Sequence, residues 1–475
     1  MPPMTAEMIA ALARIVGARW VRHRRAELTT YAMDGLPTRE SFPGVVVMPA
    51  NASEVREVIR LLHLLRVPFV ARGAGTGLSG GAVAGGDAVL IALARMNRIL
   101  QLDPVRRRAV LQPGVVNARL SEAAAPFGLQ YVPDPSSQAA CTVGGNVAEN
   151  AGGPHCLKYG VTTNHVTELE VVLSDASVVR LGSPQGDPWG PDLVGLFVGS
   201  EGMFGIATEI TVRLEPLPPS VRTMLADFST VRGASEAVSS IIAAGIVPAA
   251  LEMMDQACVA AVEASIYAAG YPTDAAAVLL VELDGQPETV ESESATVAGI
   301  LRERGAREVR SASSAADRAR LWQGRKKAFG AMGRIAPDLA VQDAVVPRSA
   351  LPDIMDRIAE IRDRHALSIS NVFHAGDGNL HPNISFDRHD PLVASRVHAA
   401  CREIMTVCVE AGGSITGEHG VGSDKIDYMP LIFDAETLGA MRAVRRAFDP
   451  FETANPGKVV PLHACREWMA APGAR

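Results

Sequence analysis

At positions 71–81 the chain reads ARGAGTGLSGG, five glycines among small residues directly after the apolar run Val67-Pro68-Phe69-Val70. So little side chain in so short a span makes the backbone the working surface. Glycine reaches positive φ, which lets successive N–H groups converge on an anion such as a cofactor phosphate. A plain surface turn is the alternative, and it ranks second because TVGGNVAENAGG at 142–153 repeats the same composition. Two such loops suggest a clamp around one long phosphate-bearing ligand. Upstream, 45–72 reads as a β-α-β unit: VVVM, a helix entered at Asn51 with Glu54 three positions later, then PFVAR. Val55, Val58, Ile59, Leu62 and Leu65 share one face of that helix.

The span from Gly75 to Gly80 also fits GxGxxG, but its surroundings do not suit a Rossmann turn. Such a turn opens a helix and is followed about twenty residues on by an acidic residue. Here it runs into GAVAGGDAVLIAL, more glycine and then a strand, and 95–98 (RMNR) supplies no acid. No Walker lysine is present either.

At 475 residues two or three domains are expected, with ample length to bury a large cofactor. Lys plus Arg number 45 against 52 Asp plus Glu, net −7, which argues against nucleic acid and against a strongly charged membrane surface. The N-terminus carries Met8, Ile9, Leu12, Ile15 and Val16 as a helical stripe, an amphipathic helix rather than a signal peptide. No apolar segment approaches spanning length. The six cysteines, Cys465 among them, include no CxxC, so neither a disulfide framework nor an iron–sulfur site is signalled, and a reduced, cytoplasmic setting fits.

Further along, a hairpin turning at 103–106 and a short helix from Asn117 to Gly128 precede a long irregular connection, 129–153, of the kind that is usually functional. The segments 165–175 and 177–182 read as another hairpin. Pro216-Leu217-Pro218-Pro219 marks a domain boundary. Beyond it, strands alternate with helices expected on one face of an antiparallel sheet, an α+β arrangement.

Chemistry concentrates near the C-terminus. In HAGDGNLH, His374 and His381 flank Asp377-Gly378, a strong two-residue turn signal. With that loop, 376 faces 379, 375 faces 380 and 374 faces 381, placing the imidazoles opposite each other with Cβ atoms roughly 5 Å apart. Other loops fit the same residues. Gly417-Glu418-His419-Gly420 adds a carboxylate and an imidazole, and two histidines with a carboxylate form a metal set with open positions. A metal on a substrate hydroxyl lowers its pKa, and histidine suits the proton acceptor. Arg325 in GRKKAF reads first as a helix-surface arginine and second as a fork for a carboxylate.

Taken together, PANASEV, RGAGTGLSGG, PDPSS, TVGGNVAENAGG, VGSEGMFGIATEI, NVFHAGDGNLHP, GEHGVG and NPGK resemble, in that order, the FAD-dependent 2-hydroxyacid dehydrogenases of the vanillyl-alcohol oxidase (PCMH-type) superfamily. The similarity is greatest to the group of FAD-bearing glycolate oxidase subunits, D-lactate dehydrogenases and D-2-hydroxyglutarate dehydrogenases. It implies an N-terminal helical segment (1–40), a two-subdomain FAD domain (41–218), a ferredoxin-like α+β substrate domain (219–425) and a C-terminal helical segment returning to the FAD (426–475). By the same resemblance, Arg72, Gly73, Ala74, Gly75, Thr76, Gly77, Leu78, Ser79, Pro133, Asp134, Thr142, Gly145, Gly152, Val161, Glu201, Gly205, Ile206 and Asn455 are FAD-contacting positions. His374, His381 and Glu418 correspond to ligands of a divalent metal such as Zn, Mn or Fe, His419 to the base that works with hydride transfer to flavin N5, and Arg325 to the carboxylate anchor. Where related D-2-hydroxyglutarate dehydrogenases carry a lysine ahead of an acidic residue, this chain reads Leu339-Ala340-Val341-Gln342-Asp343, which favours glycolate or D-lactate over a dicarboxylate. No histidine inside the glycine loop offers a tether, so FAD is expected to bind non-covalently. The resemblance also implies an acceptor other than oxygen: iron–sulfur and second flavin subunits, a quinone or a cytochrome, with peripheral membrane attachment through those partners and a homodimer as an allowed state. A flavin-binding scaffold subunit without its own substrate chemistry is the alternative.

Overall fold

A computed structural model describes residues 4–184 and 190–461. Cys465 and the end of the tail lie outside the described residues. The N-terminal helix Ala6–Val16 is capped by Thr5, whose hydroxyl accepts from Met8 N, and buries Met8, Leu12 and Val16. It covers a four-stranded sheet ordered Val21–Arg22, Val45–Val47, Val89–Ala92, Phe69–Arg72. Helix Ala52–Leu65 connects the second and fourth of these. Asn51 caps it through Glu54 N, and the Glu54 carboxylate accepts from Ala50 N at 2.8 Å. The strands on either side of this helix are not neighbours: Val89–Ala92 lies between them, parallel to both. The glycine loop therefore leaves the sheet at its edge strand, from Arg72.

A second sheet, antiparallel throughout, runs Ile99–Asp103, Arg108–Leu111, Ile206–Arg213, Val166–Val172, Val178–Gly182. Both expected hairpins are present. The connection 129–153 is more ordered than its composition implied. Leu129–Gln130 is a short strand, and Val143–Glu149 is a helix capped by the Thr142 hydroxyl. The small residues serve approach rather than looseness: a Cβ at Gly144 would lie 2.4 Å from Pro113 Cβ and 2.8 Å from its carbonyl oxygen.

The third sheet begins Ala306–Ser311, Ser220–Phe228, Ala277–Gly285, Ala250–Asp255, the 4-1-3-2 order of a ferredoxin-like βαββαβ unit with Val231–Ala243 and Pro287–Glu303 as its helices. Ala250–Asp255 then pairs with Ser368–His374, which extends the sheet. Helices cover both faces, not one. On one side lie Val231–Ala243, Pro287–Glu303, Leu351–His365 and Pro391–Glu410; on the other, Gln256–Glu263, Ala315–Lys326 and Ala328–Met332. The reason is the strand composition: AVLLVELDG is buried at eight successive positions, so neither face tolerates water. The tail returns through Ala435–Phe448, where Phe448 stacks on Phe204 at 4.6 Å. It then lies beside Phe69, whose N donates to Thr453 O and whose carbonyl accepts from Asn455 N. No helix among the described residues is long and apolar enough to cross a membrane. The described cysteines Cys141, Cys156, Cys258, Cys401 and Cys408 are all free thiols.

Candidate active site

One cavity of about 510 Å³ runs from the glycine loop to the histidine cluster. Every residue from Ala71 to Leu78 lies on its wall, as do Thr142, Gly145, Gly152 and Glu201. The two small-residue stretches touch each other there: a Cβ on Gly73 would sit 2.3 Å from Thr142 Oγ1. Gly75 holds φ +69, and a Cβ on it would strike the Arg72 guanidinium at 2.2 Å. That guanidinium is buried and donates to Met33 O at 2.8 Å, which braces the start of the loop. Space calls for glycine at both positions, and at Gly75 the positive φ calls for it as well, leaving a backbone-lined trough suited to a long cofactor.

Other residues that the resemblance marked lie behind this wall. The Ser79 carbonyl accepts from Ser423 N and Asp424 N. The Pro133 carbonyl accepts from Asn117 Nδ2 at 2.9 Å, and Val161 N donates to Asn164 Oδ1 at 2.9 Å. Asp134 is held by His155 and Lys326. Gly205, at φ +130, precedes the buried Ile206 at the start of a strand. Asn455 Nδ2 donates to the carbonyls of Gly81 and Glu201, tying the tail to the loop. Glu201 itself, at φ +50, accepts from Val421 N and Gly422 N, each at 2.7 Å; burial pushes its carboxyl up to about 7.

At the far end of the cavity the hairpin differs from the two-residue-loop register. His374 pairs with Asn379, so four residues form the loop, and the same register continues to Asn371 opposite Pro382. His381 therefore stands diagonal to His374 rather than opposite it. Moving the partner by an even number of residues keeps both side chains on one face, and diagonal neighbours remain within reach of long side chains. The rings meet at 5.3 Å between centroids, nearly perpendicular.

Each imidazole is oriented from behind. His374 Nδ1 lies 2.8 Å from Glu252 Oε1, and His381 Nδ1 donates to the Gln342 carbonyl at 3.2 Å. The Nε2 atoms then both face Glu418 Oε1, at 3.1 and 3.2 Å. One ligand atom from each of the three residues falls within 4.8 Å of the others. Lone pairs from two imidazoles and a carboxylate converge there, so the set calls for a positive charge at its centre. The protein shows the same demand: burial works against a charged His374, yet Glu252 and Glu418 outweigh it and hold the imidazole pKa well above its ordinary value. Histidines fixed through Nδ1 by a carboxylate and a carbonyl are the usual outer support of a metal site.

Arg325 is not on the surface. It is 1% exposed, and its Nε donates to Glu252 Oε2 at 2.7 Å, with Nη2 on the same oxygen. Nη1 has no partner among the described residues, and Arg325 lines the cavity. Glu252 thus orients both the guanidinium and His374. It went unmarked in the sequence, although an acid flanked by the apolar residues of ALEMM was the available signal.

His419 stacks on His381 at 4.8 Å, almost parallel, with its Nδ1 buried and unpartnered. Burial lowers its pKa to about 4, so the ring is neutral and able to accept a proton. Its loop is hung from one carboxylate. Asp343 accepts from the backbone N–H groups of Gly417, Glu418 and His419, from Thr416 Oγ1 and from Lys425 Nζ. Asp343→Asn leaves the buried Lys425 ammonium unpaired and is expected to cost about 3–5 kcal/mol. The check is the denaturant midpoint at unchanged slope; a loss below about 1 kcal/mol contradicts the assignment.

Residues 43–182 match the FAD binding domain family, and 217–459 the C-terminal domain of FAD linked oxidases. The chain is 48% identical over 464 residues to glycolate oxidase subunit GlcD of Escherichia coli K12, covering 98% of this chain and 93% of that one. It is 33% identical over 425 residues to a D-lactate dehydrogenase of Anaerostipes hadrus, covering 88% and 89%. Among solved structures, p-cresol methylhydroxylase with substrate bound superposes at a TM-score of 0.81 over 95% of each chain, with 18% identity, a likeness of fold alone.

Proposed function

Because this chain belongs to the FAD-linked oxidases and is an FAD-dependent oxidoreductase, we propose that it oxidises a small 2-hydroxy monocarboxylate, glycolate or D-lactate, to the 2-oxo acid. The observation that carries this reading is that Arg325, whose Nη1 is unpartnered, the His374–His381–Glu418 set and His419, whose Nδ1 is unpartnered, all line one cavity among the described residues. The glycine-lined arm would hold FAD, which supplies the two-electron acceptor. His374, His381 and Glu418 would hold a divalent metal, which supplies Lewis acidity at the substrate hydroxyl.

The chain's own residues do the rest. Arg325 fixes the substrate carboxylate through Nη1 while Glu252 holds the other side of the fork. His419 takes the hydroxyl proton as hydride leaves C2, so two electrons and two protons leave the acid in all. Phe329, Leu339 and Val341 add apolar lining that limits water, while Lys326, which also lines the cavity, is paired with Asp134 at 3.1 Å. The relative's designation as a subunit supports partner chains that carry electrons onward to iron–sulfur centres, a quinone or a cytochrome.

A panel of 2-hydroxy acids tests the reading. Glycolate or D-lactate is expected to reduce the flavin at concentrations at least about tenfold below those needed for D-2-hydroxyglutarate, since a second carboxylate would be buried unpaired. Preference for the dicarboxylate overturns the substrate assignment. Metal analysis of the same protein is expected to show a bound transition metal that His381→Ala loses; equal content in both contradicts the ligand set.

A further inference from the structure

A polar network outside the reacting centre joins the two family-matched regions. On one side stand Asp134, His155, Lys158 and Tyr159, from the FAD-binding region; on the other stand Glu282, Asp284, Arg318, Trp322 and Lys326. His155 lies between two carboxylates, with Nδ1 2.9 Å from Asp134 Oδ1 and Nε2 3.4 Å from Glu282 Oε1, and its ring stacks on Trp322 at 5.7 Å. Glu282 is 1% exposed. It also accepts from Arg318 at 2.8 and 2.6 Å, from Trp322 Nε1 at 2.7 Å and from the Thr223 hydroxyl. Lys326 reaches back to Asp134, and Lys158 and Tyr159 close on Asp284. Arg318, Trp322 and Lys326 all stand on helix Ala315–Lys326, which carries Arg325.

We propose that His155 is a positioning residue: as an imidazolium bridging Asp134 and Glu282, it bolts the Arg325 helix to the FAD-binding region and so sets the distance between bound substrate and flavin. The division of contacts supports this. Arg325, His374, His381, Glu418 and His419 all belong to the 217–459 region, and Glu252 ties Arg325 to His374 within it. Loosening the bridge leaves the substrate-holding groups in register with one another and moves them, as a unit, relative to the cofactor arm. A shift of that kind slows the chemical step without weakening substrate binding.

Burial opposes charge on His155, but Asp134 and Glu282 outweigh it and raise its pKa to about 10. The charged groups that face it are Asp134, Glu282, Arg318 and Lys326, with the Asp284–Lys158 pair beside them. The stabilisation from the imidazolium is complete below the ordinary value of 6.5 and disappears as pH climbs through about 10.

The inference rests on the proposed oxidation, and stopped-flow flavin reduction by the preferred acid tests it on the holoenzyme. His155→Gln is expected to lower the reduction rate at saturating substrate about 10- to 100-fold, with the half-saturating concentration unchanged within about twofold. His155→Arg, which restores a cation between the two carboxylates, is expected to recover most of that loss. Lys158→Met repeats the test at a more exposed contact, with a smaller drop of the same kind. An unchanged rate, or a rise in half-saturating concentration that accounts for the loss, overturns the proposal. If no 2-hydroxy acid reduces the wild-type flavin, the proposed function fails on its own account, and calorimetry decides the bridge: one transition in wild type and two in His155→Gln sustain it, and one in both overturns it.

Discussion

Arg325→Lys is expected to lower kcat/KM for the 2-hydroxy acid by about 10²- to 10³-fold, almost entirely through KM. In the proposed complex the guanidinium would span two carboxylates: Nε and Nη2 are committed to Glu252, and Nη1, without a partner among the described residues, would meet the substrate. An ammonium is a single point charge on a flexible stem and cannot occupy both ends of that span. Hydrogen bonds to charged groups contribute about 1.5–3 kcal/mol each, so losing the substrate-facing bond together with the rigid fork costs about 3–4 kcal/mol. The lysine keeps a charge beside Glu252 and so avoids a buried, unpaired carboxylate, which would cost about 3–5 kcal/mol. Folding and flavin content are therefore expected to survive, and steady-state kinetics can be read directly. A KM within about threefold of wild type would show that the open nitrogen does not meet substrate.

His419→Gln carries the other large effect. Its ring is partly buried and parallel to His381, with Nδ1 buried and unpartnered among the described residues. Glutamine nearly fills the space but cannot accept a proton, so the flavin-reduction rate at saturating acid is expected to fall about 10²- to 10⁴-fold. Because Arg325 is the proposed substrate anchor, KM should change little. Because the Asp343 contacts are to the backbone of this loop, the substitution leaves its anchoring intact. Single-turnover absorbance of the flavin measures the effect, and a rate within about fivefold of wild type would move the proton-accepting role to another group.

The glycine-lined arm was legible in the sequence because composition alone exposes such a stretch; glycines at 73 and 75 stand where a Cβ would meet Thr142 or Arg72. The histidine pair was legible for a different reason. Strand periodicity preserves the face under an even shift, so a mistaken loop length still brought His374 and His381 together. Helix Val143–Glu149 was obscured because it opens on two glycines, poor helix formers on their own, of which Gly144 packs closely on Pro113. Arg325 read as a surface residue on local pattern alone, and only the family resemblance made it an anchor, because no local pattern distinguishes a helix-surface arginine from one that a distant strand has pulled inside. The partner that draws it in, Glu252, is visible only once Ala250–Asp255 and Ser368–His374 are known to be neighbours. Asp343 is hidden in the same way, since its five donors come from 416–425.

In the proposed reaction hydride leaves C2 of a small 2-hydroxy acid held between Arg325 and the histidine cluster, with FAD as the acceptor. Its most direct test is anaerobic mixing of metal-replete holoenzyme with glycolate or D-lactate, unlabelled and deuterated at C2, with flavin absorbance as the signal. Bleaching by at least one acid, slower with deuterium than with hydrogen, is the expected result; a bound flavin that stays oxidised with both acids contradicts the account.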